Sequence, residues 1–294
     1  MLGQACLDNP GQPWTSLNRP AGCGIFLRKR GNSMSKYIIE SLNQKFEIKG
    51  YRVYFNIQNS VHAEEILNSL DKATPQLEQL FCLDAPPEAE IFIYPDTSTI
   101  ERVSRRPMAV GETFRILAEE SAVMLSDPQL TKMPGIDTVR NICYMLFDNA
   151  VKEREIGLKT YRTPSWLRDG ICLQIPSKLR TDSKDYLVGG WKICKEAFRA
   201  DQLIKPSVMV RSLYLISDPN RRELAIHQSF FMARYFLSNF SNKFFKKYST
   251  LMGAFEDMES ETAFRQITSL DFEKFFNLFK DWVRTTNVWA AISD

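Results

Sequence analysis

Histidine is nearly missing from this chain: His62 and His227 are the only two among 294 residues, and they lie far apart. A His-Glu-x-x-His helix for zinc therefore cannot be written anywhere in it, because that motif needs two imidazoles one helical turn apart. Cysteine offers no substitute. Cys6, Cys23, Cys82, Cys143, Cys172 and Cys194 form no C-x-x-C pair, which excludes a zinc ribbon and a dithiol centre and leaves reduced, mostly buried thiols as the expectation. No cofactor is implied, and zinc is expected to be absent. Long apolar runs are lacking as well: no stretch of the roughly 18 residues a membrane helix needs occurs, and no basic region followed by an apolar one opens the chain. Charge of one sign is not in excess either. The 38 basic and 35 acidic side chains leave a formal charge of +3, too balanced for a nucleic-acid or anionic-membrane footprint. The expectation is a cytoplasmic protein with neither partner. Nucleophile elbows, Walker loops and strand-linked G-x-G-x-x-G turns are also absent from the sequence.

What is present is enough apolar residue, 44% of the chain, to bury a core without staples. Residues 1–33 hold five of the thirteen glycines and three prolines with no apolar periodicity, and read as a disordered leader or a mis-assigned start before Met34. Tyr51, Val53, Phe55 and Ile57 alternate with polar residues as in a half-buried strand. Ile66, Leu67, Leu70, Ala73, Leu77 and Phe81 then form one helical stripe, with a kink or break expected near residue 74 because of Pro75. Ile91–Tyr94 and two short runs within 114–125 complete the strand signals.

Beyond residue 137 the pattern is helical almost throughout, near 137–153, 164–175, 185–200, 206–216, 223–240, 243–255, 260–267 and 271–286. The last segment carries Phe272, Phe275, Phe276, Phe279, Trp282 and Val283 on one face behind a candidate Asp271 cap. Gly189-Gly190 reads as a turn or helix irregularity. Strands first and helices later imply an α+β fold. A lobe at 34–176, built on a small mixed sheet with flanking helices, and a helical lobe at 177–294 are expected.

The segment Pro164-Ser165-Trp166-Leu167-Arg168-Asp169-Gly170-Ile171-Cys172 resembles the P-x-W-L-x-E-G-x-A segment that supplies the third metal ligand in gluzincins of the peptidase MA clan. Upstream, Val139-Arg140-Asn141-Ile142-Cys143-Tyr144-Met145-Leu146-Phe147 has the apolar rhythm of that family's V-H-E-L-T-H-V-L-L helix. The stretch Ala225–Leu237 is similar to its A-Y-x-Q-S helix, with Ile226 where the family has Tyr. Ala263–Ile267 followed by Asp271–Trp282 resembles its closing region. The resemblance spans roughly residues 50–285 and implies a zincin-like fold.

It also implies where the chemistry has gone. Arg140 stands at the first His, Asn141 at the catalytic Glu, Tyr144 at the second His, and Asp169 at the remaining carboxylate ligand. A buried carboxylate that has lost its cation is costly unless paired or neutralised, so Arg140 is expected to approach Asp169, with Tyr144 one turn on. Each histidine is expected to be structural, and Cys143 lacks a local base to make it a nucleophile. The leading expectation is a pseudo-metallopeptidase that binds a peptide or protein in its cleft. The alternative is a metal-independent enzyme that uses Arg140, Tyr144, Asp169 and His227 on a small polar substrate. A mutually satisfied, dry cluster would favour the first, and convergence on a solvent-reachable pocket the second.

Overall fold

The computed structural model describes residues 36–81, 83–108, 114–127, 133–152, 163–210, 213, 216–251 and 260–293. The expected leader at 1–33 and the Met34 start lie outside them. Strands β1 (Gln44–Ile48), β2 (Tyr51–Phe55), β3 (Ala89–Tyr94), β4 (Phe114–Leu117) and β5 (Ala122–Ser126) form one sheet in the order β1-β2-β3-β5-β4. The inner strands β2, β3 and β5 run parallel, and each edge strand is antiparallel to its neighbour.

Alternation along the strands sorts side chains onto two apolar faces, as a period of two requires. Val53, Phe55, Ile91, Ile93, Val123 and Leu125 join the main core, where helices α1 (Ser60–Phe81) and α3 (Pro134–Lys152) pack on each other and on the sheet. Tyr54, Phe92, Tyr94 and Met124 face the other way and are covered by Tyr37, Leu42 and Ile100, the last from α2 (Thr97–Ser104). The Tyr94 hydroxyl donates to the Tyr37 carbonyl at 2.6 Å and ties the segment preceding β1 to the middle of the sheet.

α1 runs unbroken through Pro75, so of the kink or break expected near residue 74 the break does not occur. Proline removes one N–H bond, but Leu70, Ala73, Leu77 and Phe81 are buried on both sides of it and hold the helix in register. The strand β1 adds to the expected ones; Gln-Lys-Phe-Glu-Ile, with only two apolar residues, gives little alternation to mark it. α2 is a further addition, capped by Asp96, which accepts the Thr99 N–H at 2.6 Å.

The helical part contains α4 (Ser165–Cys172), α5 (Gln174–Leu179), α6 (Ser183–Arg199), α7 (Pro219–Leu251), α8 (Ser260–Thr268), α9 (Phe272–Thr285) and α10 (Val288–Ile292). The expected helix at 164–175 is thus divided between α4 and α5. Among the described residues of 206–216 there is no α-helix; Val208–Val210 form a short 3-10 turn and Leu213 is also 3-10. The two helices expected at 223–240 and 243–255 are continuous as α7 across the polar residues Ser238, Asn239, Ser241 and Asn242. Those residues interrupt the apolar pattern without supplying a glycine or proline breaker. Asp271 caps α9 as expected, accepting the Lys274 N–H at 2.7 Å.

The architecture is α+β. One apolar cluster runs from β2 to α10 without interruption, and the boundary expected between 176 and 177 falls inside α5. Among the described residues no helix is long and apolar enough to cross a membrane.

Candidate functional site

The site begins with a row on one helix. Asp137, Arg140, Tyr144 and Asp148 recur at three- and four-residue spacing along α3, which places them on one face. The opposite face, with Val139, Ile142, Cys143 and Leu146, is buried in the core. α4 starts directly after Pro164, whose fixed φ suits a helix start, and it is a neighbour of α3. Its Arg168 and Asp169 meet the polar row.

Arg168 is the hub. Its Nε and Nη2 donate to Asp148 Oδ1 and Oδ2 at 3.0 and 2.8 Å, a two-pronged pair across the helices. The same guanidinium lies 4.4 Å from the centre of the Tyr144 ring, within cation–π range. The Tyr144 hydroxyl in turn donates to Asp169 Oδ1 at 3.1 Å, and Arg168 Nη1 is 4.0 Å from that oxygen. Arg140 pairs instead with Asp137, one helical turn earlier, at 3.1 Å. Signs therefore alternate through the cluster.

The expected Arg140–Asp169 pair is corrected by this geometry. Arg168 is the cation closest to the carboxylate, and Arg140 acts on it as a weaker, more distant charge. The tether to Asp137 explains the difference, since a partner on the same helix face is reached at little conformational cost.

Burial decides how Asp169 titrates. The residue is 7% exposed, and desolvation raises its pKa above the ordinary aspartate value despite the opposing pull of Arg168, the Tyr144 hydroxyl and Arg140. The folded chain therefore holds this proton more tightly than the unfolded chain does. Stability from the neutral form is fully present below the ordinary value of 3.8 and is lost as pH rises through the raised folded value. Asp169→Asn, which stays neutral, is expected to gain on the wild type as pH rises from the ordinary aspartate value toward neutrality. Urea unfolding at several pH values measures this, and a difference that does not vary with pH would refute it.

Two further groups keep α4 in place. Gly170 faces α7 so closely that an added Cβ would lie 2.2 Å from the Ser229 carbonyl oxygen and 2.7 Å from Ala233 Cβ. Gln174 spans the same contact, its Nε2 donating to the carbonyls of Gly170 and Phe230 at 2.9 and 3.0 Å. One turn earlier on the same face of α4, Trp166 is fully buried, stacked on Phe275 at 5.3 Å and edge-on to Phe264 and Phe272.

The remaining expected residues lie elsewhere or are occupied. Asn141 is 1% exposed, and its Oδ1 has no hydrogen-bond partner among the described residues. His227 is buried where α7 crosses α6, its ring 5.0 Å from that of Tyr186. A Cβ on Gly190 would lie 2.2 Å from His227 Nδ1, so that glycine is a helix-interior position kept bare for the imidazole rather than a turn. Burial lowers the His227 pKa, and its charged neighbours are Glu223 and Arg180, with no member of the α3–α4 cluster among them. His62 sits in the first turn of α1. Cys143, Cys172 and Cys194 are buried free thiols whose pKa values burial pushes up, which removes Cys143 as a nucleophile at neutral pH.

The donor set does not fit zinc. A guanidinium, a carboxamide, a phenol and one carboxyl stand at the four positions that the sequence resemblance singles out, and a second guanidinium crowds that carboxyl. Among the described residues no group of three or more His, Cys, Asp and Glu side chains is placed to hold a metal ion. Compared with known proteins, the chain matches no protein-family model and no curated protein.

Sequence reasoning missed Arg168, Asp148 and Gln174. Asp148 carried a signal, since it continues the Arg140–Tyr144 spacing by one more turn. Arg168 occupies a position that the resemblance leaves open to any residue. Gln174 acts through backbone carbonyls that only the crossing of α4 and α7 brings within reach.

Proposed function

We propose that this chain keeps a gluzincin-type scaffold without its metal chemistry and works as a peptide- or protein-binding module, taking an extended partner segment along the outer edge of β4, which no other strand pairs among the described residues. The observation that carries this reading is the closed state of the former reaction centre. Tyr144, Arg168, Asp148 and Asp169 satisfy one another, and Asp169 is almost fully buried. An acid–base site needs its groups open to a substrate. The raised pKa of Asp169 is the one feature that favours a rebuilt enzyme, and it arises from the burial that withholds the carboxyl from any substrate.

The edge itself is suited to strand addition. The Glu90 N–H donates to the Ser121 carbonyl at 2.8 Å, so the backbone groups of Ala122 turn away from β3 and toward β4. Ala122 pairs with Leu117 and Met124 with Arg115, which leaves the backbone groups of Phe114 and Ile116 pointing outward. The Phe114 and Ile116 side chains pack against the main core on the α3 side. Arg115, on the other face, fixes the strand by donating to the carbonyls of Arg106 and Pro107 at 2.6 and 2.7 Å.

A displayed library of random linear peptides provides the test, followed by hydrogen exchange with an enriched sequence. Slowed exchange at the Phe114 and Ile116 amides is the expected result. Absence of any enriched peptide, protection confined to another surface, or turnover of the peptide abolished by Asp169→Asn would overturn the proposal.

A further inference from the structure

The opposite edge of the sheet carries a second inference. Every residue of β1 except Ile48 is exposed, and Phe46 is 38% exposed with its ring 4.7 Å from that of Phe55. An exposed strand with an open row of N–H and C=O groups is a template for another strand.

The hydrogen bonds between the strands fix which groups are open. The Ala89 N–H donates to the Gly50 carbonyl at 3.1 Å, so the groups of Tyr51 face β1 rather than β3. Tyr51 pairs with Ile48, Val53 with Phe46, and Phe55 with Gln44, so these three β1 residues use their backbone groups on β2. Lys45 and Glu47 are left with theirs pointing outward. Their side chains share one face and form an exposed ion pair at 2.9 Å.

An antiparallel partner strand must place outward-pointing residues opposite one another. For two copies of β1 related by a two-fold axis, three central registers meet this condition. Lys45 facing Lys45, or Glu47 facing Glu47, sets like charges directly opposite, which is unfavourable. The third places the axis at Phe46. Lys45 then faces Glu47 of the second copy twice over, Gln44 faces Ile48, and all of β1 is paired. The two Phe46 rings meet at the closer, non-hydrogen-bonded position, where aromatic cross-strand pairs are favoured.

We infer that β1 is a homodimerisation strand, joining two copies of this chain antiparallel about Phe46 with the register selected by the Lys45–Glu47 pairs. The self-complementary order of charges singles out a second copy of this chain as the partner. The arrangement puts β4 at each end of the joined sheet and does not depend on the function proposed for that edge.

Sedimentation equilibrium of the full chain across a concentration series tests it. Lys45→Glu and Glu47→Lys each place like charges opposite in both pairs, and each is expected to weaken self-association at least about tenfold. The swap Lys45→Glu with Glu47→Lys in one chain restores the opposite-charge pairs and is expected to recover dimerisation. An equimolar mixture of the two single variants is expected to form the heterodimer in preference to either homodimer. The Lys45–Glu47 ion pair is exposed and contributes little to the monomer, so unchanged circular dichroism and Tm are expected throughout. A wild-type chain that stays monomeric at about 100 μM, or self-association indifferent to the two reversals, would overturn the inference. So would protection of the Lys45 and Glu47 amides at every concentration, which would mean that the edge is covered by the chain itself.

Discussion

Gly170→Ala is expected to lower the stability of the folded chain by about 3 kcal/mol or more, a fall in Tm of about 10 °C. A methyl group on this residue would meet the Ser229 carbonyl oxygen at 2.2 Å and Ala233 Cβ at 2.7 Å. Neither is the far end of a flexible side chain, so relief requires α4 and α7 to move apart. Separation would lengthen the Gln174 hydrogen bonds to the Gly170 and Phe230 carbonyls and loosen the stack of Trp166 on Phe275. Differential scanning calorimetry measures the change. A Tm within about 2 °C of the wild type would show that the helices slide apart at no cost, contrary to the packing described. The companion substitution Ala233→Gly removes one of the two obstructions and is expected to recover only part of the loss, because the carbonyl remains.

The second large effect concerns charge. Arg168→Met keeps much of the volume of the side chain but leaves Asp148, whose side chain is 19% exposed, without its two-pronged partner. It also removes the cation nearest Asp169. Burial disfavours the charge of Arg168, but Asp148, with smaller contributions from Cys172 and Tyr144, offsets that penalty and raises its pKa. An expected cost of about 2 to 3 kcal/mol follows from stranding a largely buried carboxylate. Arg168→Lys should recover only part of it, since an ammonium cannot fill both carboxylate oxygens in the plane of the fork. A double-mutant cycle with Asp148→Asn isolates the pair: coupling of about 1 kcal/mol or more is expected. Coupling below about 0.3 kcal/mol would mean that the pair behaves as a loose surface contact.

How much of this was legible in the sequence depended on whether the deciding force was local. The stripe from Ile66 to Phe81 and the Asp271 cap follow from spacing within a few residues, and both lie where that spacing put them. The β1 strand did not announce itself, because an edge strand bears exposed polar residues and takes its order from β2. At the candidate site, Arg140, Tyr144 and Asp169 were legible as a set, and α3 and α4 do bring Tyr144 and Asp169 within hydrogen-bonding distance. What could not be read was the competition between cations. Arg140 and Arg168 both lie near one carboxylate, and the choice falls to Arg168 because Asp137 engages the first. His227 was grouped with the site on residue type alone, and the close approach of α6 at Gly190 keeps it in another part of the core.

The box around Trp166 sets an order of events for a chain made from its N-terminus. Phe264, Phe272 and Phe275 lie far downstream of the indole that they enclose. While the nascent chain grows, α4 can dock on α3 through local polar contacts, but its largest apolar side chain stays bare until α9 has left the ribosome. Non-local closure of this kind slows folding, and it lengthens the time during which a sticky surface is open to other chains. Chaperone demand during synthesis should therefore peak late, after the sheet is already complete.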